Sequence, residues 1–185
     1  LSPNGEVATY ATGLMFLPLV ELDSNMEFQP MLAKSITTED NRTFTIELFE
    51  DAVWTDGTSV TSDDVIYTIK QMATPEVGSI YAYVYAMFEG FDENGYLVDP
   101  SDTTSIIRLD DKRLQLVAKE ELSLTTFMNS VGRFLWTVPQ HVLKDISPKN
   151  LVASEFFQNP TVTNGPFSLV AYDRNHYIQL AANKE

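Results

Sequence analysis

The sequence predicts a mixed α/β (α+β) fold, and three observations predict it. In residues 43–49, Phe44, Ile46 and Leu48 alternate with Thr43, Thr45 and Glu47, the period of a half-buried strand. In residues 61–73 the spacing becomes helical, with Val65, Ile66, Ile69, Met72 and Ala73 on one face. A second strand–turn–strand unit follows, residues 106–109 and 114–118 about Asp110-Asp111.

Taken from the N-terminus, Ser2-Pro3-Asn4-Gly5 is loop chemistry, and residues 9–19 are expected to form a short helix ended by Pro18. Asp23-Ser24-Asn25 is a turn cluster, and residues 34–38 are extended. Residues 38–41 make a hairpin-like turn into the strand at 43–49. Asn41-Arg42-Thr43 has the form of a glycosylation sequon but reads as turn chemistry. Residues 51–54 extend the strand and supply Trp54 as a large apolar anchor. Asp56-Gly57 is a turn signal, because glycine accepts positive φ without a Cβ clash. Thr61 and Asp64 have the spacing of a capping box, and Asp63 and Asp64 fall at the positive end of the helix dipole.

Ala73-Thr74-Pro75 ends that helix. Residues 79–88 carry Tyr81, Tyr83, Tyr85 and Phe88 among small apolar residues, a run that fits strand and helix alike. Residues 91–102 are polar, acidic and turn-rich, and read as a loop. Residues 122–135 are expected to be helical, with Leu124, Phe127, Met128, Val131 and Leu135 on one face. There is no internal repeat and no low-complexity tract.

A chain of 185 residues is long enough to bury a core and is either one domain or one lobe of something larger. Apolar content of 44% with 11% aromatic residues argues against a disordered chain. Twenty-six acidic against twelve basic residues give a net charge of −14, which repels nucleic-acid phosphates and anionic headgroups and keeps the surface solvated. Without cysteine there are no disulfides, no thiolate-bound zinc and no thiol catalysis. No apolar run reaches the length of a membrane span, and no secretory leader pattern is present.

The run W-T-D-G-T-S-V-T-S-D-D-V, residues 54–65, resembles the signature of bacterial family 5 extracellular solute-binding proteins, the oligopeptide, dipeptide and nickel binding components of ABC transporters. Ser59 stands where that signature usually has Pro, and Ser62 where it has Ala. Both suit a turn and a helix start. Further pieces are similar to the family pattern: Leu1-Ser2-Pro3, Gly13-Leu-Met-Phe16, Leu32-Ala-Lys-Ser35, and Trp136-Thr-Val-Pro139 followed by His141-Val-Leu. The last of these resembles a strand-to-helix junction. Residues 163–169, T-N-G-P-F-S-L, and the strand expected at 177–181 before Asn183 complete the set.

The resemblance implies a lobe of a periplasmic-binding-protein type II-like fold. It also implies an N-terminal lobe portion over residues 1–185, a subdomain inserted within it over 36–150, a second lobe outside the chain, and a missing leader or lipid anchor. It further implies capture of a small solute, an oligopeptide or dipeptide, outside the membrane by two-lobe closure, delivery to ABC permease subunits, and a monomer with no cofactor. The location would be the periplasm or, as a lipoprotein, the outer face of the cytoplasmic membrane. A ligand-binding sensor or regulatory domain of the same fold, without a transport role, is the alternative. In the peptide-binding members a loop after the N-terminal strand and a tyrosine after the capped helix face the ligand cleft. Counting from Trp54 without gaps puts that tyrosine at Tyr81, after Ile80 where the family has Pro, and the loop at Asn4, Gly5 and Glu6.

An enzyme needs a nucleophile with its base, a carboxylate pair or a metal cluster. His141 and His176, the two histidines, stand far apart without a metal-binding neighbour pattern, and His141 reads as structural. Asp63-Asp64 is a helix start before it is an acid–base pair. The loop at 92–102 has carboxylates, but Gly95 is misplaced for a calcium-binding EF-hand. No glycine-rich phosphate loop is present, so neither catalysis nor a metal site is expected.

Overall fold

The computed structural model describes residues 6–101, 104–173 and 176–183. The first helix, α1 (Glu6–Met15), is followed by a small antiparallel hairpin of β1 (Val20–Leu22) and β2 (Phe28–Pro30). The helix expected at 9–19 is thus shifted towards the N-terminus. It stops three residues before Pro18, whose ring disfavours helical geometry in the residue preceding it. The hairpin itself went unread, because three-residue strands are too short to show a period.

The main sheet consists of β3 (Ala33–Thr37), β4 (Thr43–Leu48), β5 (Ile106–Arg108) and β6 (Arg113–Val117), antiparallel in the order β3-β4-β6-β5. Register places Ile46 between Ile36 and Leu114, and Leu116 between Phe44 and Ile106. These apolar residues therefore share one face, where Phe44, Ile46, Leu48, Leu114 and Leu116 are fully buried. Burying each such side chain stabilises the fold by about 1.5–3 kcal/mol. The opposite face is polar: Gln115 Nε2 donates to Thr45 Oγ1 at 2.9 Å, and Lys34 Nζ pairs with Glu47 at 2.6 Å. The expected alternation in residues 43–49 is what makes the sheet one-sided.

Between β4 and β5, α2 (Ser62–Met72) packs against β5 and β6. Val65, Ile69 and Ala73 are buried as the spacing requires, while Ile66 and Met72 are only partly so. Tyr67 and Thr68 are buried as well, because α4 (Gln140–Leu143) covers a second side of the helix. The Tyr67 hydroxyl donates to the Leu143 carbonyl at 3.0 Å. Residues 51–54 do not prolong β4. Trp54 N–H donates back to the Thr58 carbonyl at 2.8 Å and Val60 N–H to that of Ala52 at 2.9 Å, a closed arm turning at Gly57 with φ of 86°.

Two 3₁₀ turns follow, Pro75–Val77 and Ala82–Met87, the second of which resolves the ambiguous run as helical, and residues 91–101 are loop as expected. The single helix expected over 122–135 is instead α3 (Leu124–Phe127) running into a π-helical turn, Met128–Gly132. This turn packs on β1: a Cβ on Gly132 would stand 2.8 Å from Val20 Cγ2. Phe127, Val131 and Leu135 still point into the core, and Phe127 stacks on Phe44 with ring centroids 4.4 Å apart. The segment at 136–139 is not a strand. Its Val138 N–H is held by the Thr68 hydroxyl at 3.0 Å, so α2 side chains take the place of a ladder.

Two further short helices, α5 (Pro148–Leu151) and α6 (Glu155–Gln158), lead to the hairpin of β7 (Phe167–Asp173) and β8 (Tyr177–Ala182), against which α1 rests. Among the described residues no helix is long and apolar enough to cross a membrane.

Candidate ligand-binding site

The distinctive motifs meet at one place, and there they hold the scaffold together. Asp64 is 4% exposed, and its carboxylate accepts Thr61 N–H at 2.9 Å, the Thr61 hydroxyl at 3.2 Å and Trp54 Nε1 at 3.4 Å. The first of these is the reciprocal bond of the expected capping box. The same carboxylate also accepts Gln140 N–H at 2.8 Å, tying α2 to the start of α4. Beside it, His141 Nε2 and Asp56 Oδ2 are 2.8 Å apart, and the His141 ring lies 6.3 Å from that of Trp54. Burial pulls the Asp56 carboxyl upward, but its bonds from Thr58 N–H and from His141 outweigh this and hold it below its ordinary value.

The third motif joins here too: Thr55 N–H donates to the Thr163 carbonyl at 2.8 Å and Thr163 N–H to Thr55 Oγ1 at 3.0 Å. Next to it, Gly165 N–H donates to the Met15 carbonyl at 2.7 Å, and Asn164 Oδ1 accepts Leu17 N–H at 2.9 Å. A Cβ on Gly165 would stand 2.5 Å from the Leu14 carbonyl oxygen, so only glycine lets α1 end so close. Asn164 and Gly165 thus dock α1 as well as leading into β7.

The other acidic and histidine side chains singled out in the sequence take structural partners. Asp63 turns to the surface and pairs with Arg108 at 3.0 Å, away from the buried Asp64, so the two do not act on a common atom. In the acidic loop, Asp92 Oδ1 accepts the N–H groups of Asn94 and Tyr96, which makes it a turn former. His176 meets only Asp173, at 3.2 Å, among the described residues. No cluster of three or more His, Asp or Glu side chains able to hold a metal occurs among the described residues.

The expected ligand-facing Tyr81 lies elsewhere, at the N-terminal end of the Ala82–Met87 turn. Its ring stacks on Phe134 with centroids 5.2 Å apart and 16° between planes, and meets Trp136 edge-on at 5.9 Å. Trp136 is also edge-on to Phe134 at 6.4 Å. All three rings are half-buried, and the neighbouring Ile80 and Tyr83 are exposed at 62% and 64%. Arg133 holds its guanidinium 5.5 Å from the centre of the Phe134 ring. The result is an aromatic shelf, able to take apolar or planar groups, with a cation at its edge.

Of the expected site residues, Asn4 and Gly5 lie outside the described residues, and Glu6 is the first residue of α1. Tyr81 gathers Phe134 and Trp136, which sequence reasoning passed over. Their signal, large aromatic residues at 134 and 136 astride a buried Leu135, was absorbed into an expected helix and strand.

Comparison with known proteins is consistent across the chain. Residues 27–185 match the model of "Bacterial extracellular solute-binding proteins, family 5 Middle". The dipeptide-binding protein DppE of Bacillus subtilis is 30% identical over 88% of this chain and 29% of its own length. The fold superposes on the oligopeptide-binding protein AppA from Bacillus subtilis in complex with a nonapeptide, with a TM-score of 0.81 and 20% identity over 97% of this chain and 32% of AppA. It also superposes on NikZ from Campylobacter jejuni in complex with Ni(L-His), with a TM-score of 0.72 and 27% identity over 92% of this chain and 30% of NikZ. The chain therefore spans about 30% of the length of these relatives. The architecture is that of the type II-like periplasmic-binding proteins. With more than half its length matched by the family model, the chain belongs to the bacterial extracellular solute-binding proteins of family 5.

Proposed function

We propose that this chain is the N-terminal lobe portion of the substrate-binding component of an ABC transporter, with residues 36–150 forming a subdomain inserted in that lobe. The whole protein captures a small peptide outside the membrane, in the periplasm or lipid-anchored at the outer face, and delivers it as a monomer to permease subunits. Closure of two lobes on the peptide hides it from water. No chemistry is performed on it.

The observation that carries this reading is the half-buried aromatic shelf of Tyr81, Phe134 and Trp136. Such a surface holds side chains of varied shape through ring faces, while an extended peptide backbone is held by main-chain groups. Support comes as well from two relatives, DppE, a dipeptide-binding protein, and AppA, an oligopeptide-binding protein.

A thermal-shift panel on the full-length protein tests the ligand class, with short peptides, oligosaccharides and nickel as the arms. A ligand at one hundred times its dissociation constant stabilises its target by about 2.7 kcal/mol. Shifts with peptides and with neither other arm are expected. Shifts with sugars or nickel alone would overturn the peptide assignment.

A further inference from the structure

We propose that Gln71 and Thr137 hold a buried water molecule between α2 and residues 136–138, and that this water positions the Trp136 ring of the shelf. Its effect on peptide binding rests on the capture reading above, whereas the water site itself does not.

The first argument is a pair of oxygens left over. Thr137 is fully buried, and its hydroxyl has no hydrogen-bond partner among the described residues. Gln71 is only half-buried, but its Oε1 atom is sealed from solvent and has no partner among those residues either. An unpaired buried polar atom is costly, and folded proteins relieve that cost with a protein group or an ordered water.

The second argument is register. Residues 136–140 run antiparallel to α2, whose side chains take their N–H groups in turn. Asp64 accepts Gln140 N–H at 2.8 Å, and one helical turn on, Thr68 accepts Val138 N–H at 3.0 Å. The next residue on that side of α2 is Gln71, and the next residues of the segment are Thr137 and Trp136. The direct bonds stop there. Among the described residues, neither Trp136 nor Thr137 donates its N–H to a backbone carbonyl. The two leftover oxygens thus fall on the first rung without a direct bond.

The third argument is chemistry. Gln71 Oε1 only accepts, and the Thr137 hydroxyl both donates and accepts. A water serves both, donating one hydrogen to Gln71 and bonding Thr137 in either sense, with a lone pair left for a backbone N–H. Seclusion from solvent restricts the occupant to that size. Fixing Thr137 fixes its neighbour Trp136, whose ring meets Tyr81 and Phe134 edge-on. Gln71 and Thr137 are therefore positioning residues, acting on the ligand only through Trp136.

Crystal structures of the full-length wild type, Thr137→Val and Thr137→Ser test the site. Calorimetric titration of Ala-Ala-Phe into these proteins, Gln71→Met and the double variant Gln71→Met/Thr137→Val tests its role, with unfolding midpoints confirming that each variant folds. The wild type and Thr137→Ser are expected to show a water within about 3.2 Å of both oxygens. Thr137→Val is expected to lack that water and to turn the Trp136 ring away from Tyr81. Affinity for Ala-Ala-Phe is expected to fall about threefold or more in Thr137→Val and in Gln71→Met, no further in the double variant, and to be kept in Thr137→Ser. A direct bond between Gln71 and Thr137, or no density between them in the wild type, overturns the water. Losses that multiply in the double variant, or full affinity in Thr137→Val, overturn its positioning role. A wild type that holds the water yet binds no peptide overturns peptide capture and leaves the water site standing.

Discussion

Asp64 Oδ1 accepts the backbone N–H of Gln140 at 2.8 Å, joining residues 76 positions apart. The same side chain caps α2 and meets the Trp54 indole, so one buried aspartate fastens the closed arm, the central helix and α4. Replacing it leaves several donors unpaired at once. Asp64→Ala is expected to cost about 2–4 kcal/mol in urea unfolding. Asp63→Ala, which removes only an exposed ion pair with Arg108, is expected to cost under about 1 kcal/mol. Equal effects would show that Asp64 is not the fastening point.

Gly95 and Gly57 both adopt positive φ, 80° and 86°, yet their surroundings differ. A Cβ on Gly57 meets nothing within 4 Å, whereas one on Gly95 falls 1.8 Å from the Ala82 carbonyl oxygen. Gly57→Ala is expected to cost about 1–2 kcal/mol from backbone strain alone. Gly95→Ala is expected to cost at least about 2 kcal/mol more, since the loop around Gly95 must leave the Ala82–Met87 turn. Thermal unfolding of the two variants compares them directly. Similar losses would mean that the loop gives way without strain.

Asp40 closes the β3–β4 turn. Its carboxylate accepts Thr43 N–H at 2.7 Å and Arg42 N–H at 2.9 Å. These bonds, the Thr43 one foremost, lower its pKa to about 2. A depressed carboxylate pKa stabilises the folded state above the unfolded value of about 3.9, and that contribution fades as pH falls toward the folded value. Stability of the wild type is therefore expected to fall more steeply between about pH 4 and pH 2 than that of Asp40→Asn. Parallel curves for the two proteins would contradict the role given to Asp40.

What the sequence disclosed and what it hid follow from the range of the forces involved. The alternation of Phe44, Ile46 and Leu48 and the Thr61–Asp64 cap are local, so β4 and the start of α2 were legible. Tyr81 was legible only through the resemblance, by counting from Trp54. Its companions Phe134 and Trp136 are more than fifty positions away, and nothing in their spacing announces a shared shelf. The π-helical turn was hidden as well: it lies against β1, where a Cβ on Gly132 would meet Val20, a contact between distant segments. The second buried side of α2 likewise depends on α4, which supplies the Leu143 carbonyl to Tyr67.

Under the proposed function, a peptide is captured between this lobe and a second one. Calorimetric titration of the same short peptides into the full-length protein and into residues 1–185 alone tests it most directly. The full-length protein is expected to bind, and residues 1–185 to bind at least about one hundredfold more weakly, because one lobe supplies only part of the contacts. Equal affinity in the two would contradict capture by closure, and no peptide binding by the full-length protein would contradict the account itself.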